Sequence, residues 1–304
     1  MEKYTGRQIA ILTDIHGLLE PTEAILDDIK RRGITEVYSL GDNIGEGPNP
    51  LEVVTLLENS GVKSIAGNAE EYVRLGIAPF PYVEDDSCLW TLEKLGEEGK
   101  GIVTLYPRFI ELMVGGQKVG LCHFANDVRF NFSAHSTWTY QRYFDYAKTG
   151  ERNRDNASSQ FAYTNSPDER RFLAEHIKPS NINSPYMQGM VSAYREPLFN
   201  GRLIELYDAI IQGHVHWKLY DQNDKTKFYT IRAAGIAYRN DPVDTASYII
   251  LREKTNNQGF DVEEILVRYD RDKMVCTILN CTIPSDKMIR FTAISNEEFE
   301  RHQK

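Results

Sequence analysis

The chain has 304 residues, with 41% hydrophobic and 11% aromatic side chains, which is the composition of a packed globular protein and not of a disordered one. No run of about eighteen apolar residues exists, which excludes a transmembrane helix. A formal charge of −9 disfavours a protein that wraps long nucleic acid, but a small phosphorylated substrate is still compatible, because bound cations invert the local field.

Two further features predict a cytoplasmic protein. The four cysteines, Cys88, Cys122, Cys276 and Cys281, form no Cys-x-x-Cys pair, which favours free thiols in a reducing compartment. The N-terminal residues lead almost directly into a buried-strand pattern, which leaves no room for a signal peptide. We therefore expect neither export nor a membrane partner.

The N-terminal part of the chain alternates predicted strands with predicted helices. The strands are short apolar runs that end at polar or glycine residues. They cover 8–13, 37–40 and 62–66; a helix with Pro21 in its first turn ends at Gly33, and a second helix covers 51–57. Strand–helix repeats with short turns require right-handed crossovers, so this region is predicted to contain a parallel sheet.

The remaining elements surround a long irregular region. In chain order they are a helix at 86–99, hairpin strands at 109–114 and 118–122, and strands at 209–212, 228–232, 248–251 and 262–268. Residues 126–200 are irregular, polar and aromatic, with one predicted helix at 167–177, and the last thirty residues have no clear pattern. The sequence predicts one α/β domain over 1–304, with an inserted, cap-like segment at about 126–200.

Side chains that can bind metal fall at the ends of five predicted strands. They are Asp14 and His16, Asp42, Asn68, His123, and His214 with His216. In open α/β sheets, ligands bind outside the carboxyl ends of the strands, so we expect these seven donors to converge on one edge.

The chemistry of this donor set predicts a pair of transition-metal ions. Carboxylate, imidazole and amide donors without thiolate suit Mn, Fe or Zn. A carboxylate such as Asp42 can bridge two ions about 3.5–4 Å apart. Taken singly, each donor has an ordinary structural interpretation, since Gly-Asp and Gly-Asn after a strand are most often turn residues. The ordered set at successive strand ends favours a metal site.

The same residues resemble the signature blocks of the calcineurin-like metallophosphoesterases. The blocks are Asp14-Ile15-His16-Gly17, Gly41-Asp42 with Gly47-Pro48, Gly67-Asn68-Ala69-Glu70, His123, and Gly213-His214-Val215-His216. The stretch 41–54, running on to 65–68, and the later stretch 233–251 resemble the small prokaryotic phosphodiesterase branch, which includes diadenosine tetraphosphate hydrolase-like enzymes. The resemblance covers about 7–125 and 205–270 of the chain.

This resemblance implies a four-layer α/β/β/α sandwich of two mixed sheets, with the site at the sheet edge. It implies an enzyme that uses two divalent or trivalent transition-metal ions, Mn or Fe with Zn as the alternative, and a metal-bridging hydroxide that attacks phosphorus. The implied catalytic and metal-binding set is Asp14, His16 and His216 for one ion, Asn68, His123 and His214 for the other, and Asp42 as the bridge.

The sequence departs from the family pattern where a general acid is expected. Ala69 occupies the position of a histidine that protonates the leaving group, and Gly45 and Glu46 replace the aspartate and arginine of the protein-phosphatase branch. General acid catalysis is worth about 10²–10⁴-fold for a basic leaving group and little for a stable anion. The predicted substrate is therefore a phosphodiester or phosphoanhydride of the nucleotide or dinucleoside polyphosphate type.

The irregular insertion offers two interpretations. Ten aromatic residues lie between Phe124 and Tyr163, with arginines among them. They are either a cap that stacks a base and pairs with phosphates, or the small core of the insertion with a solvated face. Asn126 and Arg129 lie just beyond His123 and are the candidate substrate-binding residues.

Three other functions stay open at this stage. The first is a phosphomonoesterase or protein phosphatase of the same superfamily, and the second is a metal-binding scaffold without turnover. The third is a nuclease, which the acidic charge and the lack of a basic stripe disfavour. The sequence carries no signal for the oligomeric state.

Overall fold

The computed structural model describes residues 4–45, 47–67, 69–70, 73, 86–107, 109–123, 207–214, 216, 218–222, 226–235 and 243–281. These residues belong to one compact unit. The predicted insertion at 126–200, with its helix at 167–177, lies outside the described residues and stays a prediction. Among the described helices, none has the length and apolarity that crossing a bilayer requires.

The described part of the chain contains ten strands and four longer helices. The strands are β1 (Tyr4–Leu12), β2 (Glu36–Ser39), β3 (Lys63–Ser64), β4 (Phe109–Val114), β5 (Gln117–Cys122), β6 (Ala209–Gln212), β7 (Leu219–Gln222), β8 (Lys227–Thr230), β9 (Thr245–Lys254) and β10 (Phe260–Arg268). The helices are α1 (Leu19–Arg31), α2 (Pro50–Asn59), α3 (Asp86–Val103) and α4 (Arg271–Leu279).

The strands form two mixed sheets of five strands each. The first sheet has the order β10-β9-β1-β2-β3, in which β1, β2 and β3 are parallel and β9 is antiparallel to both of its neighbours. The second has the order β4-β5-β6-β8-β7, with β5, β6 and β8 parallel and the hairpin β4–β5 antiparallel. The predicted parallel region and the predicted hairpin are both confirmed.

The two faces of β1 show how the layers are held together. Ile9 and Ile11 are buried in a cluster that includes Leu121 of β5 and Ile211 of β6, so this face of the first sheet packs on the second sheet. Ala10 and Leu12 point the other way, into a cluster whose helical members include Ile25 and Ile29 of α1 and Met274, Val275 and Ile278 of α4. Fully burying one such aliphatic side chain is worth about 1.5–3 kcal/mol. The result is the α/β sandwich with two facing mixed sheets that the resemblance implies.

Several elements differ in length from their predictions. Strand β3 covers two residues instead of the predicted 62–66, because the Ala66 N–H leaves the ladder and donates to the Pro107 carbonyl at 2.7 Å. Strand β9 is longer than the predicted 248–251 and pairs with β10 along nine positions. Strand β7 and helix α4 had no counterpart in the sequence prediction.

Candidate metal centre

Four loops after parallel strands carry the predicted donors that the structure describes. Asp14 and His16 follow β1, Asp42 follows β2, His123 follows β5, and His214 and His216 follow β6. Backbone hydrogen bonds join the first two loops, from Asp14 N to the Gly41 carbonyl at 3.0 Å and from His16 N to the Asp42 carbonyl at 2.8 Å. The topology therefore delivers the donors to one edge, as predicted.

The backbone at these positions adopts an uncommon conformation. Among the described residues, seven non-glycine residues have positive φ, and five of them are predicted ligands: Asp14, His16, Asp42, His214 and His216. A left-handed conformation costs an ordinary residue of the order of 1–3 kcal/mol, and such strain clusters at functional sites. Among the described non-glycine residues, this backbone strain is therefore concentrated in the loops that carry the candidate ligands, and the other two cases are Asn256 and Asn257.

One triad of donors comprises Asp14, His16 and His216. The Nε2 atoms of His16 and His216 lie 3.0 Å apart, and Asp14 Oδ1 lies 3.4 Å from Nε2 of His216 and 3.8 Å from Nε2 of His16. One ligand atom from each residue lies within 4.8 Å of the others. This spacing allows a single ion to contact all three.

A second triad comprises Asp42, His123 and His214. His123 Nε2 lies 3.1 Å from Nδ1 of His214 and 3.4 Å from Oδ2 of Asp42. The other nitrogen of His123, Nδ1, lies 2.8 Å from the Leu40 carbonyl, which can only accept a hydrogen bond. Nδ1 therefore carries a proton, which leaves Nε2 as the nitrogen through which His123 would contact a metal ion.

The two triads are adjacent, and a buried oxygen of Asp14 near both of them accepts no hydrogen bond within the described part of the chain. Asp14 Oδ1 lies 4.0 Å from His123 Nε2 of the second triad as well as near the first. Its partner oxygen Oδ2 accepts from Thr13 Oγ1 and from the His214 N–H, both at 2.8 Å. Oδ1 is fully buried and accepts no hydrogen bond from a described residue. An unpaired buried carboxylate oxygen is costly, and a cation at this point would satisfy it.

Burial and the neighbouring ionisable groups shift the pKa values of the site residues. Burial raises the pKa of Asp14, but the imidazoles of His216, His123 and His16 outweigh it and hold that pKa below its usual range. Burial and the neighbouring His216 lower the pKa of His16 to about 4, so this ring is neutral at pH 7. Burial lowers the pKa of His123, but Asp42 and Asp14 outweigh it and raise that pKa to about 10.

The sequence prediction assigned no role to Glu70, which the structure places directly behind Asp42. Its carboxylate is fully buried and accepts three backbone N–H groups, from Asp42, Asn43 and Gly67, at 2.8 to 2.9 Å. Burial and the charge of Asp42 raise the pKa of Glu70. The sequence feature that marks Glu70 is its position in Gly67-Asn68-Ala69-Glu70, one of the blocks that resemble the family signatures.

Three predicted site residues lie outside the described residues. They are the ligand Asn68 and the substrate-binding candidates Asn126 and Arg129. Their assignments stay predictions.

The tight approach of Gly213 to Asp14 leads to a testable expectation. A Cβ at Gly213 would lie 2.0 Å from Thr13 Oγ1 and 2.5 Å from Asp14 Oδ2. We expect Gly213→Ala to displace the Asp14 carboxylate and lower kcat/KM for an activated phosphodiester by about 10²-fold, since misplacement by 1 Å costs that much. In Gly101→Ala of α3, the added Cβ meets no atom within 4 Å, so activity should be unchanged. Equal activities of the two variants would contradict the expectation.

Comparisons with known proteins agree with this geometry. The calcineurin-like phosphoesterase family matches residues 7–218. The chain is 36% identical over 282 residues to an uncharacterized protein of Methanocaldococcus jannaschii, in an alignment that covers 91% of this chain and 93% of that protein.

Two solved structures share the fold. A hypothetical protein of Pyrococcus horikoshii superposes with a TM-score of 0.53 at 15% identity and covers 96% of each chain. A metallophosphoesterase of Sphaerobacter thermophilus gives a TM-score of 0.53 at 18% identity over 94% of this chain and 98% of that one. The family match over more than half of the residues, together with two adjacent donor triads, identifies this chain as a member of the calcineurin-like phosphoesterases and a metal-dependent phosphoric ester hydrolase.

Proposed function

We propose that the enzyme hydrolyses a phosphodiester or phosphoanhydride whose leaving group is a stable anion, of the nucleotide or dinucleoside polyphosphate type. The observation that carries this proposal is the absence of a proton donor at two adjoining positions beside the first triad. A Cβ built on Gly45 would lie 3.3 Å from His16 Nδ1 and 3.7 Å from the Ala69 Cβ. Neither Gly45 nor Ala69 has a side chain that can protonate a leaving oxygen.

The proposed ligand set follows the two triads. We assign one ion to Asp14, His16 and His216, and the other to Asn68, His123 and His214, with Asp42 shared. When bound, the ions lower the pKa of a shared water and neutralise charge on the phosphoryl oxygens. The mixed oxygen and nitrogen donors favour Mn or Fe, with Zn as the alternative.

Hydrogen bonds from the backbone hold two of the proposed ligands, Asp42 and His123, in position. Ala69 N donates to Asp42 Oδ1 at 2.8 Å, and the Leu40 carbonyl fixes the ring of His123 at 2.8 Å. Preorganised donors of this kind need no rearrangement during the reaction, which is a main source of electrostatic catalysis. Asn126 and Arg129 are the residues that we propose for contact with the substrate beyond His123.

A protein Ser/Thr phosphatase is the competing function, and the same two positions disfavour it. A serine alkoxide is a strong base and needs a proton to leave, whereas a nucleotide phosphate leaves as a stable anion. Ala69 is half-buried beside Asp42 and offers only a methyl group there.

The dependence of rate on the leaving group tests this proposal. Because no side chain at positions 45 and 69 protonates the leaving oxygen, we expect kcat/KM for a series of aryl phosphodiesters to fall steeply as the pKa of the phenol rises. The fall across the series should be on the order of 10²-fold. Steady-state hydrolysis with manganese gives the slope, and diadenosine tetraphosphate should be cleaved faster than a serine phosphopeptide.

The variant Ala69→His is the matched control, because it places an imidazole at the position from which a general acid would act. Its slope should be shallower than that of the wild type. A flat series for the wild-type enzyme, or faster hydrolysis of the phosphopeptide, would show that another group protonates the leaving oxygen and would overturn the substrate proposal.

A further inference from the structure

Glu70 is a buried carboxylate beside the metal centre that is not itself a candidate ligand. Its Oε2 accepts the N–H groups of Asp42 at 2.9 Å and Gly67 at 2.8 Å, and its Oε1 accepts the N–H of Asn43 at 2.8 Å. All three partners are backbone donors, and the side chain is completely shielded from solvent.

These hydrogen bonds join the loop after β2 to the loop after β3. Asp42 and Asn43 follow β2, and Gly67 follows β3, a strand of only two residues. Asp42 also has a left-handed φ of 51°, so its N–H has left the sheet ladder. A buried N–H without an acceptor is costly, and Glu70 supplies the acceptor for the Asp42 and Asn43 donors together.

Gly67, which donates to Glu70, lies directly against the second triad. A Cβ at Gly67 would lie 2.3 Å from Asp42 Oδ1 and 2.9 Å from His123 Nδ1. The loop that Glu70 holds is therefore in contact with two members of the second triad.

The same hydrogen bonds extend to the first triad through the backbone. The carbonyl of Asp42 accepts from His16 N, and the carbonyl of Asn43 accepts from Gly17 N, both at 2.8 Å. A shift of the Asp42–Asn43 segment would thus displace the loop that carries His16.

We propose that Glu70 is a positioning residue that holds Asp42, a member of the second triad, where it can serve both ions, so that both are bound at once. This inference rests on the proposed function, because it assumes that Asp42 is shared by two ions. A carboxylate is required because each of its oxygens accepts at least one backbone N–H of the described residues. In Glu70→Gln, one terminal atom becomes an NH₂ group and must face a backbone N–H, so at least one of the three hydrogen bonds is lost.

The experiment compares Glu70→Gln with the wild type and with Glu253→Gln as a matched control. Glu253 also accepts a backbone N–H, from Gly115 at 2.7 Å, but this bond supports the turn between β4 and β5. Each metal-free protein is titrated with Mn²⁺ by calorimetry, and electron paramagnetic resonance distinguishes a spin-coupled pair of ions from isolated ones. Circular dichroism melting checks that each variant is folded.

For Glu70→Gln, we expect the affinity for the second Mn²⁺ equivalent to fall by about 10–100-fold, as for other residues that orient metal ligands. The spectrum should change from that of a coupled pair to that of an isolated ion at one equivalent, and kcat should fall more than KM changes. Glu253→Gln should bind two ions like the wild type. A purely structural role would lower the melting temperature without changing the coupling.

A folded Glu70→Gln that binds two coupled ions with unchanged affinity would overturn this inference alone. A wild-type protein that binds no pair of ions would overturn the proposed function and the inference together. Should Glu70→Gln fail to fold, Glu70→Asp replaces it, because it keeps the charge and shortens the reach. A loss of tenfold or more in affinity for the second ion then supports the role of Glu70, and unchanged affinity contradicts it.

Discussion

Replacing Asp42 by asparagine is expected to lower kcat/KM by at least about 10³-fold while leaving the fold intact. The loss follows from the charge of Asp42, which we place between the two ions, since removal of a single electrostatic contact commonly costs about 10²–10³-fold. The fold should survive because asparagine is isosteric and its oxygen can still accept the Ala69 N–H, which lies 2.8 Å from Asp42 Oδ1. His123 would lose the carboxylate that most raises its pKa, so that pKa should fall, and the Asp14 carboxylate 4.0 Å from its Nε2 still offsets any remaining charge.

The measurements are kcat/KM with an activated phosphodiester at saturating manganese, metal content after dialysis, and melting followed by circular dichroism. Asp208→Asn is the control. Asp208 precedes β6 at the end away from the triads, where its Oδ2 accepts the Lys118 N–H at 2.7 Å. We expect this control to stay within about twofold of the wild type, as is usual for an exposed substitution. An Asp42→Asn enzyme with two bound ions and a tenth of wild-type activity would refute the bridging role.

The candidate donors could be proposed from sequence because each lies in a short local pattern. A short apolar run that ends in Asp-x-His or Gly-Asp marks both a strand and the residue that follows its carboxyl end. The topology of parallel strands then brings these ends together without any knowledge of the packing. The structure brings Asp14 and His16 into one donor triad and Asp42 into the other, and their role as metal ligands stays a prediction.

Glu70 could not be found in this way, because its role depends on a contact across 28 positions. It lies in a helical turn, and a glutamate there is most often a solvated side chain. Only the approach of the loop after β2 turns it into a buried acceptor for Asp42 and Asn43. Local pattern carries no information about that approach.

The missed elements have weak local signals. Strand β7 is a four-residue strand at the edge of the second sheet, where β8 is its one neighbour among the described strands, and it lacks the apolar run of an internal strand. Helix α4 begins after Asp270, whose side chain accepts the Lys273 N–H at 3.0 Å as an N-cap. Its interior holds Val275, Thr277 and Ile278, and β-branched residues favour strands. The N-cap therefore predicts a helix where the residue propensities predict a strand.

Exhaustive chelation is expected to abolish hydrolysis, and reloading with Mn²⁺ should restore it. The metal-free protein should also melt at a lower temperature, because a ligand at about 100 times its Kd stabilises the folded state by about 2.7 kcal/mol. The physical basis is the site itself, in which Asp14 Oδ1 is buried without a hydrogen-bond donor among the described residues. Phosphodiesterase assays and melting curves before and after reloading measure both effects.

The affinity of the metal-free protein for Mn²⁺ should rise with pH. In the absence of metal the pKa of His123 is raised to about 10, so at pH 7 this ring carries a proton that the ion must displace. Apparent Mn²⁺ affinity should therefore rise by about tenfold per pH unit between pH 6 and pH 9, with one proton released by His123. His16, with a pKa lowered to about 4, is already neutral in this range and releases none.

Calorimetry in two buffers of different ionisation enthalpy counts the released protons, and Asp42→Asn provides the internal check. Without the Asp42 carboxylate the pKa of His123 should fall, since that charge is the largest of the influences that raise it. The rise of affinity with pH should then end at a lower pH in the variant than in the wild type. Wild-type affinity that is constant from pH 6 to pH 9, with no proton released, would contradict the prediction that the ion displaces a proton from His123.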